Sequence, residues 1–151
     1  MSEPAHARIL VVDDEETIRK SLTVVLGEKG YLVDTAESGR EAINKSERLA
    51  YDLVLIDIRL PDMDGVQLLT AMRETTPKRV KIIITGYPSL QNAIEAVNKG
   101  ADGYIVKPIK MDELLTMIKE HLEKQQEARK YTERKVAEFI ETRAKELNDL
   151  K

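Results

Sequence analysis

Three short runs of the chain are apolar without alternation: Ile9-Leu10-Val11-Val12, Leu53-Val54-Leu55-Ile56 and Ile82-Ile83-Ile84. Valine and isoleucine are branched at Cβ and favour extended backbone. A continuous apolar run of this length predicts a strand covered on both faces. The strands expected are therefore Arg8–Val12, Leu53–Asp57 and Val80–Thr85. Two weaker ones join them. Tyr31–Ala36 is more polar and belongs at an edge, and Gly103–Val106 is short. Between the strands the apolar period lengthens to that of a helix. Ile18, Leu22, Val25 and Leu26 mark a first helix, with Asp14 as its cap and Gly27 or Gly30 as its stop. Ser38-Gly39 opens a second through Ala42, Ile43 and Leu49. Val66, Leu68, Leu69 and Met72 mark a third, closed by Thr75-Thr76-Pro77. Pro88-Ser89 opens a fourth with Leu90, Ala93, Ile94 and Val97 turned inward, ended at Asn98-Lys99-Gly100. The fifth starts at Met111 or Asp112 and passes through Leu114, Leu115, Ile118 and Leu122.

Strand and helix thus alternate five times. This predicts an α/β fold with a parallel sheet, helices on both faces and right-handed crossovers. With the polar strand at an edge, the expected arrangement is a flavodoxin-like, doubly wound five-stranded sheet in the order 2-1-3-4-5. Its crevice lies between the first and third strands.

The last stretch has a different character. Residues 123–130 are polar all round, yet contain no Gly or Pro. Tyr131, Val136, Phe139, Ile140, Ala144, Leu147 and Leu150 then restore a rough helical stripe. We read residues 8–122 as one domain and 123–151 as a helical extension. The extension is one long helix continuing the fifth, or two with a weak joint near 125. It serves to dimerise the chain or to link it to an output domain. The heptad pattern is poor, since a seam through Leu115, Ile118 and Leu122 next meets Gln125 and Arg129.

Charge supports the division. Residues 123–151 carry 8 basic and 7 acidic side chains, while the rest of the 151-residue chain is net acidic. The overall net charge of −3 gives no electrostatic support for nucleic-acid binding. There is no cysteine, hence no thiolate metal site. No apolar run approaches the ~20 residues that span a bilayer, and the polar start of the chain lacks the apolar core of a signal peptide. The expectation is a cytoplasmic protein. His6 and His121 have no evident ligand partner and are expected in solvent.

A parallel sheet brings its strand ends to one edge. There the order places Asp13 and Asp14 after the first strand, Asp57 after the third, Thr85 after the fourth and Lys107 after the fifth. Any of these alone has an ordinary explanation: Asp13-Asp14 as a helix cap, Thr85 as a strand end, Lys107 as a surface lysine. Together they make chemistry. Three neighbouring carboxylates raise one another's pKa, and a cation relieves them. All-oxygen ligation points to a hard ion, Mg²⁺ or Mn²⁺. Asp57 is then a nucleophile toward a phosphoryl group, with Lys107 neutralising its oxygens and Thr85 donating a hydrogen bond. Asp62 and Asp64, framed by Pro61 and Gly65, read as turn residues.

The segments Leu10-Val11-Val12-Asp13-Asp14-Glu15, Asp57 with Pro61-Asp62-Met63-Asp64-Gly65, Ile84-Thr85-Gly86-Tyr87 and Gly103-Tyr104-Ile105-Val106-Lys107-Pro108 resemble the receiver domain of two-component response regulators. The resemblance spans about residues 8–122. It implies that Asp57 accepts a phosphoryl group from the phosphohistidine of a sensor histidine kinase. It also implies that Asp13, Asp14, Asp57 and the Arg59 carbonyl surround the metal, and that the Lys107–Pro108 peptide is cis. Thr85 and Tyr104 would act as a switch that alters the face of the fourth helix, fifth strand and fifth helix, for partner binding or homodimerisation. Arg59 and Tyr87 would tune the lifetime of the acyl phosphate. On this reading the chain is not an enzyme with a separate substrate but a phosphoacceptor that assists its own phosphorylation and dephosphorylation, with no nucleic-acid or membrane partner.

Three other readings fit less well. A haloacid-dehalogenase-like phosphohydrolase wants a second acid two residues after the nucleophile, where Arg59 stands. A flavodoxin wants a hydroxyl- and Gly-rich phosphate loop where the chain has an acidic pair. A phosphorylation-independent dimer scaffold leaves the Asp57, Lys107 and Thr85 set without a role.

Overall fold

In the computed structural model, residues 7–72 and 78–149 are described. The expected stop at Thr75-Thr76-Pro77, His6 and Leu150 lie outside them. Ten elements follow in order: β1 Arg8–Val12, α1 Glu16–Glu28, β2 Leu32–Ala36, α2 Gly39–Arg48, β3 Leu53–Asp57, α3 Gly65–Ala71, β4 Val80–Thr85, α4 Leu90–Asn98, β5 Gly103–Val106 and α5 Met111–Asp149. All strand pairs are parallel and the order is β2-β1-β3-β4-β5, as expected.

The unbroken apolar runs have a simple cause. Successive strand residues point to opposite faces, and both faces are covered. Ile9, Val11, Leu53, Leu55, Ile82 and Ile84 pack against Leu22 and Leu26 of α1 and Leu114, Ile118 and Leu122 of α5. Their neighbours Leu10, Val12, Val54, Ile56 and Ile83 face the other way, toward Ala42, Leu68, Leu69 and Ala96 of α2, α3 and α4.

Most helix ends use the residues that chemistry favours. Ser38 and Ser89 accept the backbone N–H groups of Glu41 and Asn92 at the starts of α2 and α4. Asp64 and Gln67 form a reciprocal capping box on α3. Gly30, at φ 91°, ends α1 in the left-handed region. Asp14 does not cap α1, against expectation. The residue preceding the helix is Glu15, and it is the Asp13 carboxylate that accepts the Glu15 N–H, at 2.9 Å.

The inward face of α4 also differs from expectation. Leu90 is 78% exposed, Val97 66% and Ile94 50%, whereas Ala96 is fully buried. Small side chains at the contact let the helix lie close to the sheet, and the larger apolar stripe is left facing solvent.

Helix α5 runs unbroken for 39 residues, about 58 Å at ~1.5 Å per residue. Gln125 ties it to the domain by donating from Nε2 to the carbonyls of Asp52 and Lys78, at 2.9 and 3.0 Å. Farther on, Tyr131, Val136, Phe139, Ile140 and Leu147 are all exposed. His121, expected in solvent, is half-buried on α5, and it belongs to no metal-ligand grouping among the described residues. Among the described residues no helix is long and apolar enough to cross a membrane.

Candidate active site at the carboxyl edge of the sheet

The pairing of β1 with β3 ends at Val12 and Ile56. One residue on, Asp57, the last residue of β3 and still paired with Ile84 of β4, stands beside Asp13, whose N–H bonds the Ala36 carbonyl of β2; both acids are buried. Lys107, following β5, reaches across from the far side of β4. Its backbone N–H donates to the Thr85 carbonyl at 2.7 Å, and the Lys107–Pro108 peptide is cis. The Lys107 Nζ lies 3.2 Å from Asp13 Oδ2, 3.3 Å from Asp57 Oδ2 and 3.3 Å from Glu15 Oε1. Glu15, part of the Leu10–Glu15 segment but not expected as a site residue, thus joins the site; its place directly after two strand-end acids is the signal for it.

Thr85 is fully buried, and its hydroxyl accepts the Tyr87 N–H at 2.9 Å, which leaves its own proton to donate. The Arg59 guanidinium stacks over the Tyr87 ring, 3.6 Å from its centroid, so the two flanking side chains meet each other beside Asp57. The Arg59 N–H donates to Asp57 Oδ1 at 3.3 Å. Tyr104 stands apart from this group. Its ring packs against the core on the α2–α3–α4 side, and its hydroxyl is buried without a hydrogen-bond partner among the described residues. Asp62, read as a turn residue, accepts the Gly39 and Arg40 N–H groups at the start of α2. Those two N–H groups, that of Arg40 first, hold its carboxyl below the usual range.

Electrostatics at the edge follow from burial. Loss of water around Asp13, reinforced by the Asp57 charge and opposed by the Glu15 N–H and Lys107, pushes its pKa from 3.8 to about 6. Burial works against the Lys107 charge, but Asp13 and Asp57 outweigh it and hold the lysine above its ordinary range. One oxygen from each of Asp13, Asp14, Glu15 and Asp57 lies within 4.8 Å of the others. Four hard oxygen donors, two of them buried and one already reluctant to ionise, fit a divalent cation of the Mg²⁺ type.

The Asp13 shift has a consequence for stability. A carboxyl whose folded pKa is raised stabilises the fold fully below its unfolded value of 3.8, and that contribution is lost as pH rises through about 6. Asp13→Asn removes the ionisation. In chelator at about pH 7 it is expected to stabilise the chain by on the order of 1–3 kcal/mol. Melting curves either side of that range check this; an unchanged pH dependence in the variant contradicts it.

Residues 9–119 match the response regulator receiver domain family. The chain belongs to that family. Among solved structures, a receiver domain protein from Methanospirillum hungatei JF-1 is 41% identical with a TM-score of 0.78, over 82% of this chain and 98% of that one. The receiver domain of NtrC4, solved as a beryllofluoride-activated dimer, is also 41% identical, with a TM-score of 0.73, over 78% of this chain and 98% of that one. Transcriptional regulatory protein GlrR of Escherichia coli (strain K12) is 36% identical over 142 residues, 94% of this chain but 31% of GlrR. The chain spans between 26% and 50% of the length of such curated relatives. The protein is therefore a receiver domain of two-component signalling with a long C-terminal helix. The acids and lysine described above sit at the carboxyl edge of its sheet.

Proposed function

We propose that Asp57 is the phosphoacceptor and that a sensor histidine kinase supplies the phosphoryl group from a phosphohistidine. The observation that carries this reading is the single ammonium of Lys107 held between the buried Asp13 and Asp57 carboxylates. An Asp57 oxygen attacks phosphorus, the bond from phosphorus to the imidazole nitrogen breaks, and an acyl phosphate is left. Lys107 neutralises charge on the transferred oxygens, and the Thr85 hydroxyl donates to one of them. The Asp13, Asp14 and Asp57 carboxylates, with the Arg59 backbone carbonyl, would hold Mg²⁺ or Mn²⁺. When bound, the cation supplies further charge neutralisation at the same oxygens. The chain acts on itself: it assists its own phosphorylation and dephosphorylation and turns over no separate substrate. The stacked Arg59 and Tyr87 screen Asp57 and set how fast water removes the group.

The readout is a change of surface. Movement of Thr85 toward the phosphoryl group opens space on the Tyr104 side. The Tyr104 hydroxyl has no partner among the described residues in its buried place, which lowers the cost of moving the ring out of it. The surface affected includes the exposed Leu90, Ile94 and Val97 of α4 and Val106 of β5. This face, or the extension of α5, pairs with a second copy or an output partner. The dimer formed by activated NtrC4 supports pairing.

Acetyl phosphate with Mg²⁺ is expected to add one phosphoryl group to the wild-type chain and none to Asp57→Ala, read by intact mass. Equal labelling of both sinks the assignment.

A further inference from the structure

The loops that follow β1 and β3 lie past the end of the β1–β3 pairing. The Asp13 N–H still bonds the Ala36 carbonyl of β2, and Asp57 still pairs with Ile84 of β4, but neither bond ties one loop to the other. Side chains do. Arg19 of α1 donates from Nη1 to the Asp13 carbonyl at 2.9 Å, and its Nη2 reaches Glu37 Oε1 at 3.1 Å. Its side chain is largely buried. From the other side, Asp62 in the loop after β3 accepts the Gly39 and Arg40 N–H groups, each at 2.9 Å. The neighbouring Met63 side chain occupies the space where a Cβ at position 39 would stand, so a larger residue there would have to push that flexible side chain aside. The Leu60 N–H donates to the Met63 carbonyl at 3.2 Å and closes the loop on itself. Residues 37–40 thus grip both acid-bearing loops, while contributing no oxygen to the acid cluster itself.

Mg²⁺ demands a nearly ideal octahedron with ligands about 2.0–2.1 Å away. Its affinity is therefore sensitive to the spacing of loops that each bring part of the ligand set. We infer that the Glu37–Arg40 turn is a brace that sets this spacing, with Arg19 and Asp62 as positioning residues, one for each loop. The inference rests on the cation role proposed above for the acid cluster. Arg19 holds the backbone that carries Asp13 and Asp14. Asp62 holds the loop that carries the Arg59 carbonyl, three residues away.

The test is calorimetric titration of the full chain with Mg²⁺ alone, with no phosphodonor. Asp62→Ala and Arg19→Ala are each expected to weaken binding about tenfold, the lower end of what partners outside a ligand set contribute. Asp62→Asn keeps one acceptor oxygen and is expected to recover part of the loss. Glu37→Ala, at an exposed position, probes the Arg19 arm without removing a buried side chain and is expected to shift affinity in the same direction. Melting in chelator is expected to change little for Asp62→Ala, because that carboxylate sits at the surface; a merely structural role predicts the reverse pattern. Wild type that binds Mg²⁺, with Asp62→Ala and Glu37→Ala folded and binding equally well, overturns the brace alone. Wild type that takes up no Mg²⁺ overturns the brace together with the cation reading beneath it.

Discussion

Lys107→Ala is expected to slow phosphorylation of Asp57 by acetyl phosphate about a hundredfold or more, the loss that follows removal of one preorganised donor from a charged transition state. The geometry makes the effect large. The Lys107 ammonium lies within 3.3 Å of three carboxylates, and its side chain is only 16% exposed, so solvent screens it weakly. Without it, charge gathering on the phosphoryl oxygens faces Asp13 and Asp57 with one less compensating cation. The fold is expected to survive. Asp13, already pushed up to about 6, can take a proton and remove one of the two buried charges. The variant's stability then falls more steeply than wild type as pH rises, because Asp13 has lost the ammonium that favoured its ionised form. Lys107→Arg keeps the charge but replaces a compact ammonium with a planar fork, and is expected to recover only part of the rate. Rates read by intact mass at saturating Mg²⁺, beside circular dichroism, decide the matter. A rate equal to wild type in a folded Lys107→Ala chain removes the lysine from the chemistry.

The site was legible in the sequence to the extent that strand ends dictate it. Asp13, Asp57 and Thr85 sit at or just past strands whose apolar runs are unmistakable, Lys107 follows the short fifth strand, and a parallel sheet leaves those ends one edge to share. What escaped was whatever depends on rotation or on contacts between loops. The stripe of Leu90, Ile94 and Val97 has the spacing of a core face, but spacing does not say which surface a helix turns to its own sheet. Ala96 buries there instead, because a methyl allows closer approach. Asp14 has the right identity for a cap and the wrong position, since the helix begins one residue later than a cap at Asp14 requires. Asp62 reads locally as part of a Pro-to-Gly turn. Its partners, Gly39 and Arg40, are more than twenty residues away and leave no trace in local pattern. The continuity of α5 across its polar stretch was open for a similar reason, because Gln125 is anchored by carbonyls of two distant loops.

Gly65→Ala is expected to cost about 3 kcal/mol, at the upper end of what overpacking a tight site costs, or on the order of 10 °C in melting temperature for a chain of this size. The reason is proximity, not a special dihedral. A Cβ on Gly65 would stand 2.7 Å from the Asp57 carbonyl oxygen and 2.9 Å from Ile58 Cα. Both are backbone atoms, so no rotamer change gives way. Either α3 moves out, breaking the 2.7 Å bond from the Gly65 N–H to the Ile58 carbonyl, or the end of β3 moves and takes Asp57 with it. The first route lowers stability; the second also slows phosphorylation, so the two readouts together show whether α3 or the end of β3 gives way. Gly27→Ala is the control. It lies in α1 with nothing within 4 Å of the added methyl, and it is expected to stabilise the chain by about 0.5–1 kcal/mol through the lower entropy of the unfolded state. The opposite signs at two helical glycines isolate the cause. If Gly65→Ala melts where wild type melts and takes up phosphoryl groups at the wild-type rate, the close approach of α3 to the Asp57 backbone does not hold the site, and Asp57 owes its position to β3 and β4 alone.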